Sequence, residues 1–167
     1  QSPFKITYEY DIILKNILNC DEKAIIILLD TGATALKREL LPRMEKTIGK
    51  ENMIRIKFLD RMSVQKYFNL ILLSDICIDC YPFGGCNTTF DCISLNKPLV
   101  TLPSDFINGR FSYGIFKTMG INEMIAHDIN DFVNIAVTYA NDPEKQKKIS
   151  EKINENKNLV FQQKESV

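Results

Sequence analysis

Residues 75–91 read DICIDCYPFGGCNTTFD. The apolar run Ile76-Cys77-Ile78 lies between Asp75 and Asp79. A turn-forming stretch with adjacent Gly84 and Gly85 follows, and then Asn87, Thr88 and Thr89, residue types that cap helices. This is a strand passing through a glycine turn into a helix. The same alternation extends in both directions. Residues 24–29 (AIIILL) read as a strand buried on both faces, 53–59 (MIRIKFL) as an alternating strand, and 98–102 (PLVTL) as a fourth. Apolar residues at spacings of three and four predict helices at 8–18, 36–48, 64–73 and 88–95, then at 109–119, 129–140 and 143–156. The last has Asp142 as its N-cap and Pro143 at its first position. Strands alternating with helices of this length need βαβ crossovers, so the fold class is α/β, a Rossmann-like, doubly wound parallel sheet.

The chain has 167 residues, enough for one domain spanning 1–167 with a single core. Its 45% hydrophobic and 25% charged residues exclude a disordered, collagen-like or disulfide-dense chain. Lys plus Arg and Asp plus Glu both total 21, so there is no basic field for nucleic acid. No apolar run approaches the roughly 20 residues of a membrane span, and no export signal precedes the first helix, which predicts a soluble cytoplasmic protein. The absence of an initiator Met suggests a piece of a longer chain. The odd number of cysteines, five, favours reduced thiols over a bridge framework. Cys77, Cys80, Cys86 and Cys92 lie close enough to raise zinc. Their spacing does not match paired knuckles, however, and Cys77 reads as core, so no metal is expected.

In open α/β sheets ligands bind beyond the carboxyl ends of the strands, where a loop enters the next helix. Gly84 and Gly85 permit close backbone approach, and the helix start behind them offers free amides to an anion. The loop therefore reads as a diphosphate cradle. It is neither a Walker A loop nor the GxGxxG fingerprint, and a plain glycine turn with an ordinary cap fits the spacing as well. Asp91, about one turn into the helix, suits ribose hydroxyls or equally the helix dipole.

Three stretches, 75–103 (DICIDCYPFGGCNTTFDCISLNKPLVTLP), 108–126 (NGRFSYGIFKTMGINEMIA) and 131–146 (DFVNIAVTYANDPEKQ), resemble the C-terminal catalytic half of the O-linked N-acetylglucosamine transferase family, glycosyltransferase family 41, and its bacterial protein-glycosylating relatives. The segment order agrees along nearly the whole chain. The resemblance implies the donor-binding half of a two-domain GT-B enzyme that uses a UDP-sugar, UDP-N-acetylglucosamine or UDP-glucose, for inverting transfer to a protein side chain. Its partners would be the UDP-sugar donor, a protein or peptide acceptor, an N-terminal Rossmann-like half and possible helical repeats.

By the same resemblance Gly85, Cys86, Asn87, Thr88 and Thr89 form the phosphate-binding loop, and Asp91 contacts ribose. Lys5 neutralises charge on the departing diphosphate in place of a metal cofactor. Tyr67 packs near uracil, while Arg61 and Met62 form the turn whose backbone the base reads. Cys86 stands where the animal enzyme has His, Asn87 replaces a Thr, and Gln1 lies one residue further from Lys5 than the family glutamine. Each position also has an ordinary reading: a solvated Lys5, a half-buried core Tyr67, local pairing of Asp75 and Asp79, a structural Arg110, and His127 in a loop. The alternative functions are a noncatalytic nucleotide-binding or protein-interaction module and a small-molecule glycosyltransferase.

Overall fold

The computed structural model describes the backbone of residues 5–29 and 34–161 and the side chains of all of these but 34–37. Gln1 lies outside the described residues. The chain runs α1 (Tyr8–Cys20), β1 (Ile26–Leu29), α2 (Thr34–Ile48), α3 (Lys50–Met53), β2 (Ile56–Leu59), α4 (Val64–Leu73), β3 (Cys77–Ile78), α5 (Asn87–Ser94) and β4 (Leu99–Val100). A 3-10 turn, Ile107–Gly109, then leads to α6 (Phe111–Thr118), α7 (Ile129–Ala140), α8 (Pro143–Asn156) and α9 (Asn158–Phe161).

Side chains of Thr7, Ser63, Asp128 and Asp142 accept from the amide three residues on and so start α1, α4, α7 and α8. Each helix then turns one face inward. In α1 this face is Tyr10, Ile13, Leu14, Ile17 and Leu18; in the lysine-rich α8 it is only Ile149 and Ile153.

All strand pairings among the described residues are parallel: β1 with β2, β3 with β4, and a bridge from Thr101 to Ile125 beyond β4. The anticipated continuous sheet is thus realised as two short parallel pairs. Past β3 the Asp79 amide still bonds the Val100 carbonyl at 2.9 Å, and the Cys80 amide, on the opposite edge, bonds the Asp79 carboxylate at 2.9 Å. The strand anticipated at 53–59 starts only at Ile56. Gly49, at φ 93°, ends α2 in a backbone region open to glycine, and the chain immediately forms α3, which takes Met53. Arg55 then donates to the carbonyls of Leu18 (2.6 Å) and Asp21 (2.8 Å), capping the end of α1.

Two apolar clusters meet at β4. Leu99 belongs to one, with Ile93, Phe116, Met119 and Ile153, and Val100 to the other, with Tyr10, Leu14, Leu28 and Phe132. Adjacent strand residues face opposite sides, so β4 is covered on both faces, the property that defines a doubly wound layer.

α2 is tied to α1 by Arg43, whose Nε lies 2.8 Å from Asp11 Oδ2 and whose Nη2 lies 3.2 Å from Oδ1 and 2.7 Å from the Ile6 carbonyl. Burial pushes the Asp11 carboxyl above its usual range against the pull of Arg43. Arg43→Ala should cost about 2 kcal/mol in urea unfolding, the low side for a broken buried pair, because the Arg43 side chain is 38% exposed and that of Asp11 0%. Without Arg43, folded Asp11 takes up its proton at a pH where the unfolded chain remains ionised. The deficit should therefore be largest near neutrality and shrink as pH falls through the carboxylate range.

Candidate functional site

Between β3 and α5 the chain forms a loop over residues 79–86, in which the Tyr81–Pro82 peptide is cis. The segment before α1 is bonded to this loop at two points. Lys5 Nζ donates to the Gly84 carbonyl at 2.8 Å and sits 4.2 Å from the centre of the Phe83 ring. Thr7, while capping α1, also donates its hydroxyl to the Tyr81 carbonyl at 3.0 Å. Lys5 is thus half-buried against the loop rather than a solvated surface residue.

Behind the loop lies Asp79, 1% exposed, with both carboxylate oxygens satisfied. Oδ1 accepts from the amides of Cys80 (2.9 Å) and Gly85 (2.6 Å). Oδ2 accepts from the hydroxyls of Thr101 (3.0 Å) and Ser112 (2.6 Å). Burial raises this carboxyl while the donors oppose the rise, Ser112 most strongly. Two amides on Oδ1 and two hydroxyls on Oδ2 supply the four donors that an ionised carboxylate needs when it is buried. Asp79 thus pairs locally with the Cys80 and Gly85 amides, as anticipated, and also with two distant hydroxyls, from the end of β4 and from α6.

Cys86 is the N-cap of α5 and makes no side-chain cap. Its amide and that of Asn87 have no partner among the described residues, so this helix end presents donors and the positive end of its dipole. Asn87 is exposed and Thr88 half-buried. Thr89 points inward: it is 0% exposed, its hydroxyl lies 2.8 Å from that of Ser112, and its amide bonds to the Cys86 carbonyl. Its side chain therefore forms the wall behind the loop rather than the ligand-facing surface anticipated from the sequence.

One turn along α5, Asp91 Oδ2 accepts from the Tyr67 hydroxyl of α4 at 3.2 Å. Burial, then the Asp91 charge, pushes the Tyr67 phenol up, so it stays a donor. The expected ribose and uracil neighbours therefore touch each other. Met62 is half-buried, two residues before α4.

Arg110 donates to the Ser104 carbonyl at 3.1 Å and stacks on Tyr113, a structural role. His127 is an exposed loop residue whose amide donates to Asp131 at 2.9 Å. All five cysteines are free thiols; burial pushes that of Cys80 up to about 12. Among the described residues no group of metal-ligating side chains converges, and no helix is long and apolar enough to cross a membrane.

The family model for glycosyl transferase family 41 matches residues 5–165. Two curated proteins named as probable UDP-N-acetylglucosamine–peptide N-acetylglucosaminyltransferase SPINDLY, from Petunia hybrida and Solanum lycopersicum, are each 27% identical over 70 residues, 42% of this chain and 8% of theirs. A mutant O-GlcNAc transferase of Thermobaculum terrenum superposes with a TM-score of 0.80 at 20% identity, covering 92% of this chain and 30% of that one. The chain thus spans less than a third of each of these relatives.

The loop is also fixed from outside. Gly109 is buried, and a Cβ there would overlap the Ser104 hydroxyl and the Pro82 carbonyl. Gly109→Ala is expected to lower stability by about 2 to 3 kcal/mol through overpacking, read as a lower urea midpoint at unchanged slope.

Proposed function

The chain belongs to glycosyl transferase family 41, and on that premise we propose that it is the donor-binding half of an enzyme transferring a sugar from a UDP-sugar to a protein side chain. The observation that carries this reading is the meeting of Lys5, the only ammonium bonded to this loop among the described residues, with the uncapped start of α5. A cation and converging amides at a helix N-terminus suit a diphosphate. Asp91 and Tyr67, one turn further on, suit ribose and base.

In the inverting reaction a nucleophilic atom of the acceptor side chain attacks the anomeric carbon as the bond to the diphosphate oxygen breaks. The electron pair leaves on the diphosphate. Lys5 and the α5 amides stabilise that charge where it develops, and the acceptor proton passes to a base outside these residues. The acceptor side of the cleft belongs to a second Rossmann-like half, with helical repeats a further source of protein recognition. UDP-N-acetylglucosamine and UDP-glucose are the candidate donors; the names of the SPINDLY relatives support the former. Five free thiols suit a reducing compartment, which supports a cytoplasmic location.

Calorimetry on the full-length protein should register UDP binding that weakens when Lys5→Ala and Thr88→Ala are combined. Lys5→Ala should lower kcat by roughly 10²- to 10³-fold, the scale of losing one preorganised charge-stabilising group. Unchanged binding in the double variant defeats the assignment of this loop, and binding without sugar transfer or donor hydrolysis points to a noncatalytic module instead. With Lys5 in the cationic role, transfer should survive chelation by EDTA, whereas a strict metal requirement contradicts it.

A further inference from the structure

Lys5 and Asp79 hold the two ends of one peptide bond. The Gly84 carbonyl that accepts from Lys5 at 2.8 Å and the Gly85 amide that donates to Asp79 at 2.6 Å belong to the same planar unit. We infer that Asp79 is a positioning residue that sets the placement of Lys5 through the Gly84–Gly85 peptide. This inference rests on the reading of the loop as a diphosphate site.

A peptide flanked by two glycines lacks the Cβ contacts that fix most peptide planes, so its orientation has to be imposed. Here it is imposed by charges of opposite sign. A cation faces the oxygen and a buried anion faces the N–H; a flipped peptide would turn its carbonyl toward the anion and its N–H toward the cation. Asp79 is itself immobilised by three further donors, the Cys80 amide and the Thr101 and Ser112 hydroxyls, so the reference point is rigid. The backbone also rests directly on the carboxylate: a Cβ on Gly84 would come within 2.9 Å of Asp79 Oδ2. When a diphosphate arrives, Lys5 exchanges the Gly84 carbonyl for a phosphate oxygen, and Asp79 keeps the peptide in place during the exchange.

The sign of one substitution separates this role from simple electrostatics. A buried anion behind a diphosphate site repels the ligand, so if charge were its only effect, Asp79→Asn would tighten binding. Positioning predicts the opposite. In Asp79→Asn the Thr101 and Ser112 hydroxyls can turn to accept from the new amide, so the bonding count survives while the charge-assisted anchor is lost.

The test uses the full-length protein and UDP in calorimetry, with thermal melts for each variant: wild type, Asp79→Asn, Lys5→Ala and the double variant. Asp79→Asn is expected to bind UDP about tenfold more weakly than wild type. In the Lys5→Ala background the same change should add less than about twofold, because its effect passes through Lys5. A merely structural defect weakens binding equally in both backgrounds, and that result, or tighter binding by Asp79→Asn, overturns the inference while leaving the site reading intact. If wild type does not bind UDP, the site reading fails and takes this inference with it. Should Asp79→Asn not fold, Thr101→Val removes one anchor of Asp79 at constant charge and nearly constant shape. It should weaken binding several-fold in the wild-type background and leave Lys5→Ala unchanged; equal weakening in both, or none in either, overturns the inference.

Discussion

A carboxylate removed from water must be met by donors or the fold loses several kcal/mol, and Asp79 meets this demand with four. The donors arrive from Cys80 just past β3, the glycine loop, the end of β4 and α6. Satisfying one charge therefore fixes how a strand, its neighbour, a loop and a helix stand to one another. The apolar clusters on either side of β4 supply most of the driving force for folding, but they are tolerant of small shifts. The polar network is not, because a displaced donor would leave a buried charge underpaired.

Helices were legible because their signals are local. The span 143–156 agrees with α8 because Asp142 and Pro143 start that helix within the sequence itself, and α7 and α4 fall as their periodicity predicts. Strand limits were less legible, since a strand ends where its partners end. The run at 53–59 looks extended from Met53, yet Gly49 and Arg55 together place Met53 in a turn of helix and delay β2. The apolar 98–102 segment was found, but its division between two cores depends on which side chains meet Leu99 and Val100 from α5, α6 and α7, and no local pattern records this.

The site divides along the same line. The glycine turn and helix start can be read from residues 84–88 alone, and the family resemblance supplied Lys5, Asp91 and Tyr67. The residues behind the loop escaped. Asp79 reads as the end of a strand, and Ser112 as an ordinary helix residue whose nearest partners, Asp79 and Thr89, lie 33 and 23 positions away. In sequence Thr89 groups with Asn87 and Thr88, because all three are polar and adjacent. A helix turns about 100° per residue, however, and that rotation carries Thr89 to the interior while Asn87 stays outside.

Lys5 meets Gly84 across 79 positions of sequence. During synthesis the lysine leaves the ribosome well before the loop it will contact, so the contact forms only once both segments have been made. A ligand that touches both Lys5 and the start of α5 therefore recognises the chain only where these distant segments have come together. Such a ligand adds its binding energy to the native state alone, withdrawing completed molecules from the pool exposed to chaperones and proteases.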